Sequence, residues 1–327
     1  MKRRTLLELV ALGALPMWSA SAQQSGKVWR IGFLYGGARQ SALDTGRYQA
    51  FLQGMRELGY AENKNFVLVE RYSQTVDSVL PNARELLSAQ PDVILVSGGA
   101  SLLALRELTT TVPVVAAVSV DPVRQGLAEN LARPGKNFTG FSAVLSDLFP
   151  KHVQVIKAAL PRISRLGILT NPRNVDHMAL GKSVGAVAHD HGMRVHLVKV
   201  SAFPEFGPAF AEMERQKAEA LLILGDAFFV QYFREIAQLS IKHHVISTYS
   251  GREYPELGGF LSYGPNFRDH YRGAAKFIDR ILKGTKPGDL PFEQPTKLEL
   301  VINRSTAKAL GMRIPDELVL RADAIID

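Results

Sequence analysis

The stretch Asp92-Val-Ile-Leu-Val-Ser-Gly-Gly-Ala-Ser-Leu-Leu-Ala-Leu105 decides how the rest of the chain is read. Its apolar run, Val93 to Val96, has the composition of a strand buried on both faces. The run breaks at Ser97-Gly98-Gly99 and restarts at Ala100 as a helix that continues to Leu108. A bare strand-to-helix turn leaves the first N–H groups of the helix without backbone partners. Such a turn suits a carboxylate, a phosphate or another polar ligand group. In an open parallel sheet, ligands sit beyond strand ends of this kind. A glycine loop used only for its geometry is the alternative.

Outward from this stretch the chain alternates short strands and amphipathic helices. Val28 to Tyr35 reads as a strand ending at Gly36-Gly37, and Asp44 to Leu58 as a helix with Tyr48, Phe51, Leu52, Met55 and Leu58 at helical spacing. Strands follow at Phe66 to Val69 and Val112 to Val118, the latter ending at Ser119-Val-Asp-Pro122, with a helix from Val76 to Ala89 between them. This alternation predicts a parallel sheet with helices on both faces. After Phe138 to Ser142 the design repeats. Arg165-Leu-Gly-Ile-Leu-Thr170 echoes Arg30-Ile-Gly-Phe-Leu-Tyr35, and Ala218 to Ala227 echoes Pro91 to Ala100. The fold class expected is therefore α/β, with two Rossmann-like lobes built on parallel sheets and joined by a three-segment hinge.

The chain crosses between lobes near Phe138–Ser142, Gly259–Gly264 and Pro287–Pro295, which places residues 27–141 plus 263–290 in lobe 1 and 142–262 plus 291–327 in lobe 2. Three adjacent crossings permit hinge closure around a ligand. Facing lobes bring the Gly98 loop, the Asp226 loop, Tyr35 to Gly37 and Thr170 to Asn174 to a shared cleft, where small-molecule sites concentrate.

Composition narrows the chemistry. In 327 residues there is no cysteine, which excludes disulfides, thiolate metal sites and cysteine nucleophiles. The formal charge of +8 comes from singly scattered basic residues, so no nucleic acid partner is expected. Lys2-Arg3-Arg4, the apolar Leu6 to Trp18 and Ala20-Ser21-Ala22 form a signal peptide over residues 1–22. The apolar part is too short to span a membrane, and without a cysteine there is no lipid anchor. The mature chain is expected in the periplasm and not inserted in the membrane.

Catalytic motifs fail on context. Gly181-Lys-Ser-Val-Gly185 has the G-x-S-x-G spacing but lies inside a helix, not on a sharp turn after a strand. The same Gly181-Lys-Ser183 lacks the earlier glycine of a phosphate loop, since Asp176 stands there. His189-Asp-His191 and His243-His244 sit at helix ends without further ligands, so no metal and no cofactor are expected. Asp121, Asp226 and Arg252 lie at or beyond strand ends, placed to grip an ammonium and a carboxylate. The alternatives are a turn at Asp121-Pro122 and a solvated Arg252. Tyr35, Phe228, Tyr249 and Tyr254 offer stacking surface or packing.

Longer strings carry a resemblance. Tyr254-Pro-Glu-Leu-Gly-Gly-Phe-Leu-Ser-Tyr-Gly264, Tyr271-Arg-Gly-Ala-Ala275, Ile281-Leu-Lys-Gly-Thr-Lys-Pro287 and Leu290 to Asn303 resemble the substrate-binding proteins of ABC importers typified by the tryptophan/tyrosine-binding protein. Ser119-Val-Asp-Pro-Val123 and Arg133 to Gly140 match as well, so the likeness covers essentially all of the mature chain. It implies a periplasmic binding protein of type I that captures a small solute, closes, and delivers it to ABC permease subunits in the inner membrane. The expected ligand is a small carboxylate-bearing molecule of the amino-acid class, possibly aromatic. Its contacts are expected from Tyr35, Gly36, Ser97, Gly98, Gly99, Ala100, Ser101, Asp121, Asn171, Asn174, Asp226, Tyr249 and Arg252. Relatives often carry Thr-Pro where this chain has Gly99-Ala100, and Asn-Ser where it has Asn174-Val175; both departures remove a hydroxyl. Two other readings stay open. One is an exported α/β enzyme with Asp121 or Asp226 as acid or base, and the other a sugar-type binding protein.

Overall fold

The structure, a computed structural model, describes residues 27–143 and 145–327. The signal peptide read over residues 1–22 lies outside them. The elements run β1 (Trp29–Gly36), α1 (Arg39–Asp44), α2 (Arg47–Glu57), β2 (Phe66–Ser73), α3 (Val76–Ser88), β3 (Val93–Ser97), α4 (Gly99–Leu108), β4 (Val114–Ser119) and β5 (Phe138–Ser142). The second half follows with α5 (Leu145–Ala159), β6 (Arg165–Thr170), α6 (His177–Asp190), β7 (Arg194–Lys199), α7 (Phe206–Arg215), β8 (Ala220–Ile223), α8 (Ala227–Val230), α9 (Phe233–Lys242), β9 (Ile246–Tyr249), α10 (Glu253–Glu256) and β10 (Leu261–Gly264). Last come α11 (Phe267–Leu282), β11 (Phe292–Glu293), β12 (Glu299–Asn303), α12 (Arg304–Ala309), α13 (Asp316–Arg321) and β13 (Ala324–Ile326).

Two sheets result. The first has the strand order β11-β5-β4-β3-β1-β2 and is parallel throughout. The second has the order β13-β12-β10-β9-β8-β6-β7. In β3 the continuous apolar run divides between two cores, as the pleat requires. Val93 and Leu95 join Phe33, Phe51 and Tyr271, while Ile94 and Val96 join Leu86, Leu102 and Phe138.

Three details depart from the sequence reading. The helix expected from Asp44 is broken at Thr45-Gly46, where Gly46 takes φ +70° and separates α1 from α2. The pair β10–β12 is antiparallel, Leu261 facing Ile302. The chain leaves β10 for α11, which packs on α2, and re-enters the second sheet from the cleft side, so β12 must run away from the cleft. Finally, β11 pairs with β5 in the first sheet, beyond residue 290 where the sequence places the change of lobe.

The α2–α11 contact sits behind the cleft. Tyr271, Ala274, Ala275, Ile278 and Leu282 form the buried stripe of α11, and Asn266 caps its start by accepting the Arg268 N–H at 3.1 Å. At Gly54 of α2 an added Cβ would lie 2.2 Å from the Arg272 carbonyl oxygen. Gly54→Ala must therefore part the two helices. It is expected to destabilise the protein by roughly 1–3 kcal/mol in urea unfolding. A neutral result would show that the helices separate freely.

Candidate functional site

The strand ends of β1 and β9 and the loops after β2, β3, β4, β6, β7 and β8 converge on one cavity of about 600 Å³ between the lobes. Strand direction explains this, because parallel strands deliver all their C-terminal loops to the same edge.

On the first lobe, Gly98 adopts φ +103° between β3 and α4, a conformation that favours glycine. The helix starts at Gly99, one residue earlier than the sequence suggests. Leu102 N–H bonds back to the Gly98 carbonyl at 3.0 Å, while the N–H groups of Gly99, Ala100 and Ser101 precede any intrahelical partner. Ser101 Oγ is buried without a hydrogen-bond partner. Gln125 lies beside this turn, with Nε2 3.8 Å from where a Gly99 Cβ would stand. Its Oε1 accepts the Ser119 hydroxyl at 2.8 Å, and the buried Nε2 has no partner. This wall thus offers hydrogen-bond donors.

On the second lobe, Asp226 caps α8 by accepting the Phe228 N–H at 2.8 Å. It also accepts from Asn174 Nδ2 at 2.7 Å and from Asn171 Nδ2 at 3.4 Å. His177 braces the same loop. Its Nδ1 accepts the Asn171 N–H at 2.9 Å, so Nε2 donates to the Gly225 carbonyl at 3.1 Å. This wall offers a carboxylate whose position is held by three donors.

At the back of the cavity, Arg47 of α2 and Glu253 of α10 form a buried ion pair between the lobes, Nε to Oε1 3.1 Å. Burial opposes the Arg47 charge, but the Glu253 carboxylate together with Tyr35, Tyr271 and Tyr249 holds the guanidinium pKa well above its ordinary value. Phe267 lies under the guanidinium at 5.0 Å. Nearer the rim, Arg124–Asp176 (2.8 Å) and Arg173–Asp77 (2.5 Å) also join the lobes. Gly36 meets Ala227 closely enough that an added Cβ would stand 2.9 Å from the Ala227 Cβ.

Of the residues singled out in the sequence, Gly36, Ser97, Gly98, Gly99, Ala100, Ser101, Asn171, Asn174, Asp226 and Tyr249 line the cavity together. Tyr35, Asp121 and Arg252 do not. Tyr35 points into the core, stacked on Phe33 at 6.1 Å. Asp121 accepts the Arg124 N–H at 2.9 Å and so forms the turn that delivers Gln125. Arg252 pairs with Glu256 at 2.9 Å and Glu299 at 3.1 Å. Sequence reasoning missed Arg47, Gln125 and His177, which all line the cavity. Arg47 carries no local signal, since its partner lies 206 residues away. Gln125 had one, its place four residues after Asp121 in the loop following a strand end.

Two α/β lobes with a ligand-sized cavity at their facing strand ends define a binding protein of the type I periplasmic fold. The chain belongs to the ABC transporter substrate binding protein family, whose model matches residues 40–326. It is similar to the tyrosine-binding protein of Clostridioides difficile (strain R20291), 23% identical over 269 residues, or 81% of this chain and 76% of that relative. Among solved structures it is similar to a conserved domain protein from Vibrio cholerae, with TM-score 0.82 and 25% identity, covering 91% of this chain and all of the other. An ABC domain in complex with L-Trp from Streptococcus pneumonia has the same fold, with TM-score 0.81 and 23% identity over 92% of this chain and all of the other.

Proposed function

We propose that this protein is the periplasmic solute-capturing component of an ABC importer and that it binds one small carboxylate-bearing solute of the amino-acid class. The observation that carries the reading is the pair Ser101 Oγ and Gln125 Nε2, buried and unpartnered beside the open first turn of α4. Buried donors left unpaired are costly, so a ligand oxygen is the natural partner. Backbone N–H groups at the helix start favour that oxygen carrying negative charge. Across the cavity, the Asp226 carboxylate suits a ligand ammonium. The tyrosine- and L-Trp-binding relatives support an amino acid. Export by the leader at residues 1–22 and capture outside the cytoplasm fit the family, as does delivery to permease subunits. No helix among the described residues is long and apolar enough to cross a membrane.

Titration calorimetry on ligand-stripped protein tests the reading with L-amino acids and their amides. Saturable binding of acids with loss of affinity in the matched amides is expected. Ser101→Ala and Gln125→Ala should each weaken the acid roughly 10- to 100-fold, the worth of a hydrogen bond to a charged group. Amides binding as tightly as the acids would overturn the reading, and so would conversion of the solute to a product.

A further inference from the structure

We propose that the solute is an amphipathic acid whose apolar body extends from the polar inner end of the cavity to its mouth, taking the carboxylate-binding reading of the inner end as given. Among the described residues nine large apolar side chains are exposed, and four of them line this one cavity: Val76 and Leu80 of α3, Val175 after β6, and Phe203 before α7. Scattered single apolar residues are ordinary on a surface, whereas their convergence on a ligand cavity is not. The lobes are already drawn together on this side by the Arg173–Asp77 ion pair and by Gln231 Nε2 donating to the Gln74 carbonyl at 3.2 Å. With these contacts made, Val175 is still 77% exposed and Phe203 50% exposed. These interlobe contacts therefore leave them uncovered.

The mouth is also built to stay in place. Phe203 packs on Tyr232 at 5.0 Å, and Tyr232 packs on Phe228 at 5.1 Å; all three line the cavity. These aromatics give the second lobe a fixed apolar wall, opposite the aliphatic face of α3 on the first. Deeper in the cavity lie Ser101 and Gln125, both buried, and the nearly buried carboxylate of Asp226. A cavity of about 600 Å³ has the volume that encloses a ligand much larger than alanine or glycine. Buried polar anchors and exposed apolar side chains at the mouth match a molecule with one charged head and an extended apolar tail.

The test is calorimetry with a straight-chain series of L-2-amino acids, from alanine through norvaline and norleucine to 2-aminooctanoic and 2-aminodecanoic acid, each below its micellar concentration. The longer amides serve as controls. Affinity is expected to rise roughly two- to fourfold per added methylene, because each buried CH2 contributes in that range. Val175→Asp and Phe203→Ser, both at exposed positions, should remove most of the gain for the eight- and ten-carbon members while leaving norvaline within about twofold. Circular dichroism melting would confirm that these variants fold. A flat series in which alanine binds as well as the long members overturns the amphipathic ligand and leaves the carboxylate reading intact. Long amides binding as tightly as long acids would uphold the apolar mouth and sink the carboxylate reading. Absence of binding by every member overturns both.

Discussion

Replacing Glu253 by leucine is expected to cost about 3–5 kcal/mol of unfolding free energy, the largest single effect we anticipate. Arg47 is buried together with Glu253, and the carboxylate is what makes the guanidinium tolerable there. Removing the carboxylate leaves a cation in an apolar setting walled by Phe267 and Tyr271. The double variant Arg47→Met/Glu253→Leu removes both charges and should recover most of the loss. Urea unfolding of the two single variants and the double variant gives the coupling directly. If Glu253→Leu costs less than about 1 kcal/mol, the pair does not hold the lobes together at this point. Because α2 belongs to one lobe and α10 to the other, the single variant should also unfold over a broader transition than the wild type.

Acidification is expected to remove about 3 kcal/mol through His270 alone. Its ring lies flat on Phe141, centroids 4.7 Å apart, and is almost fully buried. Burial, followed by the nearby Arg47 charge, pulls its pKa down from 6.5 to about 4, against an opposing hydrogen bond that the ring donates to the Ala117 carbonyl. Below 6.5 the unfolded chain takes up a proton that the folded ring refuses until about pH 4. The stability contribution is therefore complete above 6.5 and is lost as pH falls through that window. His152, buried and likewise pulled to about 4, acts in the same direction. Unfolding curves for wild type and His270→Gln at pH 7 and pH 4.5 separate this from carboxylate titration. The variant should lose markedly less stability between the two pH values, and equal losses would rule His270 out as the cause.

The parts of this fold legible in the sequence are those where a local pattern carries the whole physical constraint. Val93 to Val96 reads as a strand because both its faces are covered, and α2 reads as a helix because Tyr48, Phe51 and Met55 recur at helical spacing. The reversed direction of β12 was not legible, because it depends on the side from which the chain re-enters the second lobe. At the site, Gly98 to Ser101, Asn171, Asn174 and Asp226 were legible as strand-end loops of two matching halves. Charge near a strand end proved an unreliable guide. The Asp121 carboxylate is taken up by its own turn and Arg252 by two glutamates, while Arg47 acquires its place only from a residue distant in the chain.

The buried carboxamide of Gln125 bears on the conditions under which a carboxylate is held. The first-lobe wall is made of backbone N–H groups, the Ser101 hydroxyl and an amide whose oxygen is already engaged by Ser119. None of these groups gains or loses a proton at ordinary acidity. Retention of a carboxylate on that wall should then follow the acidity of the ligand and not of the receptor. On this wall the hold on a carboxylate would weaken only where the solute itself turns neutral, so any earlier acid loss of capture would trace to Asp226 or to the buried histidines and not to the donors.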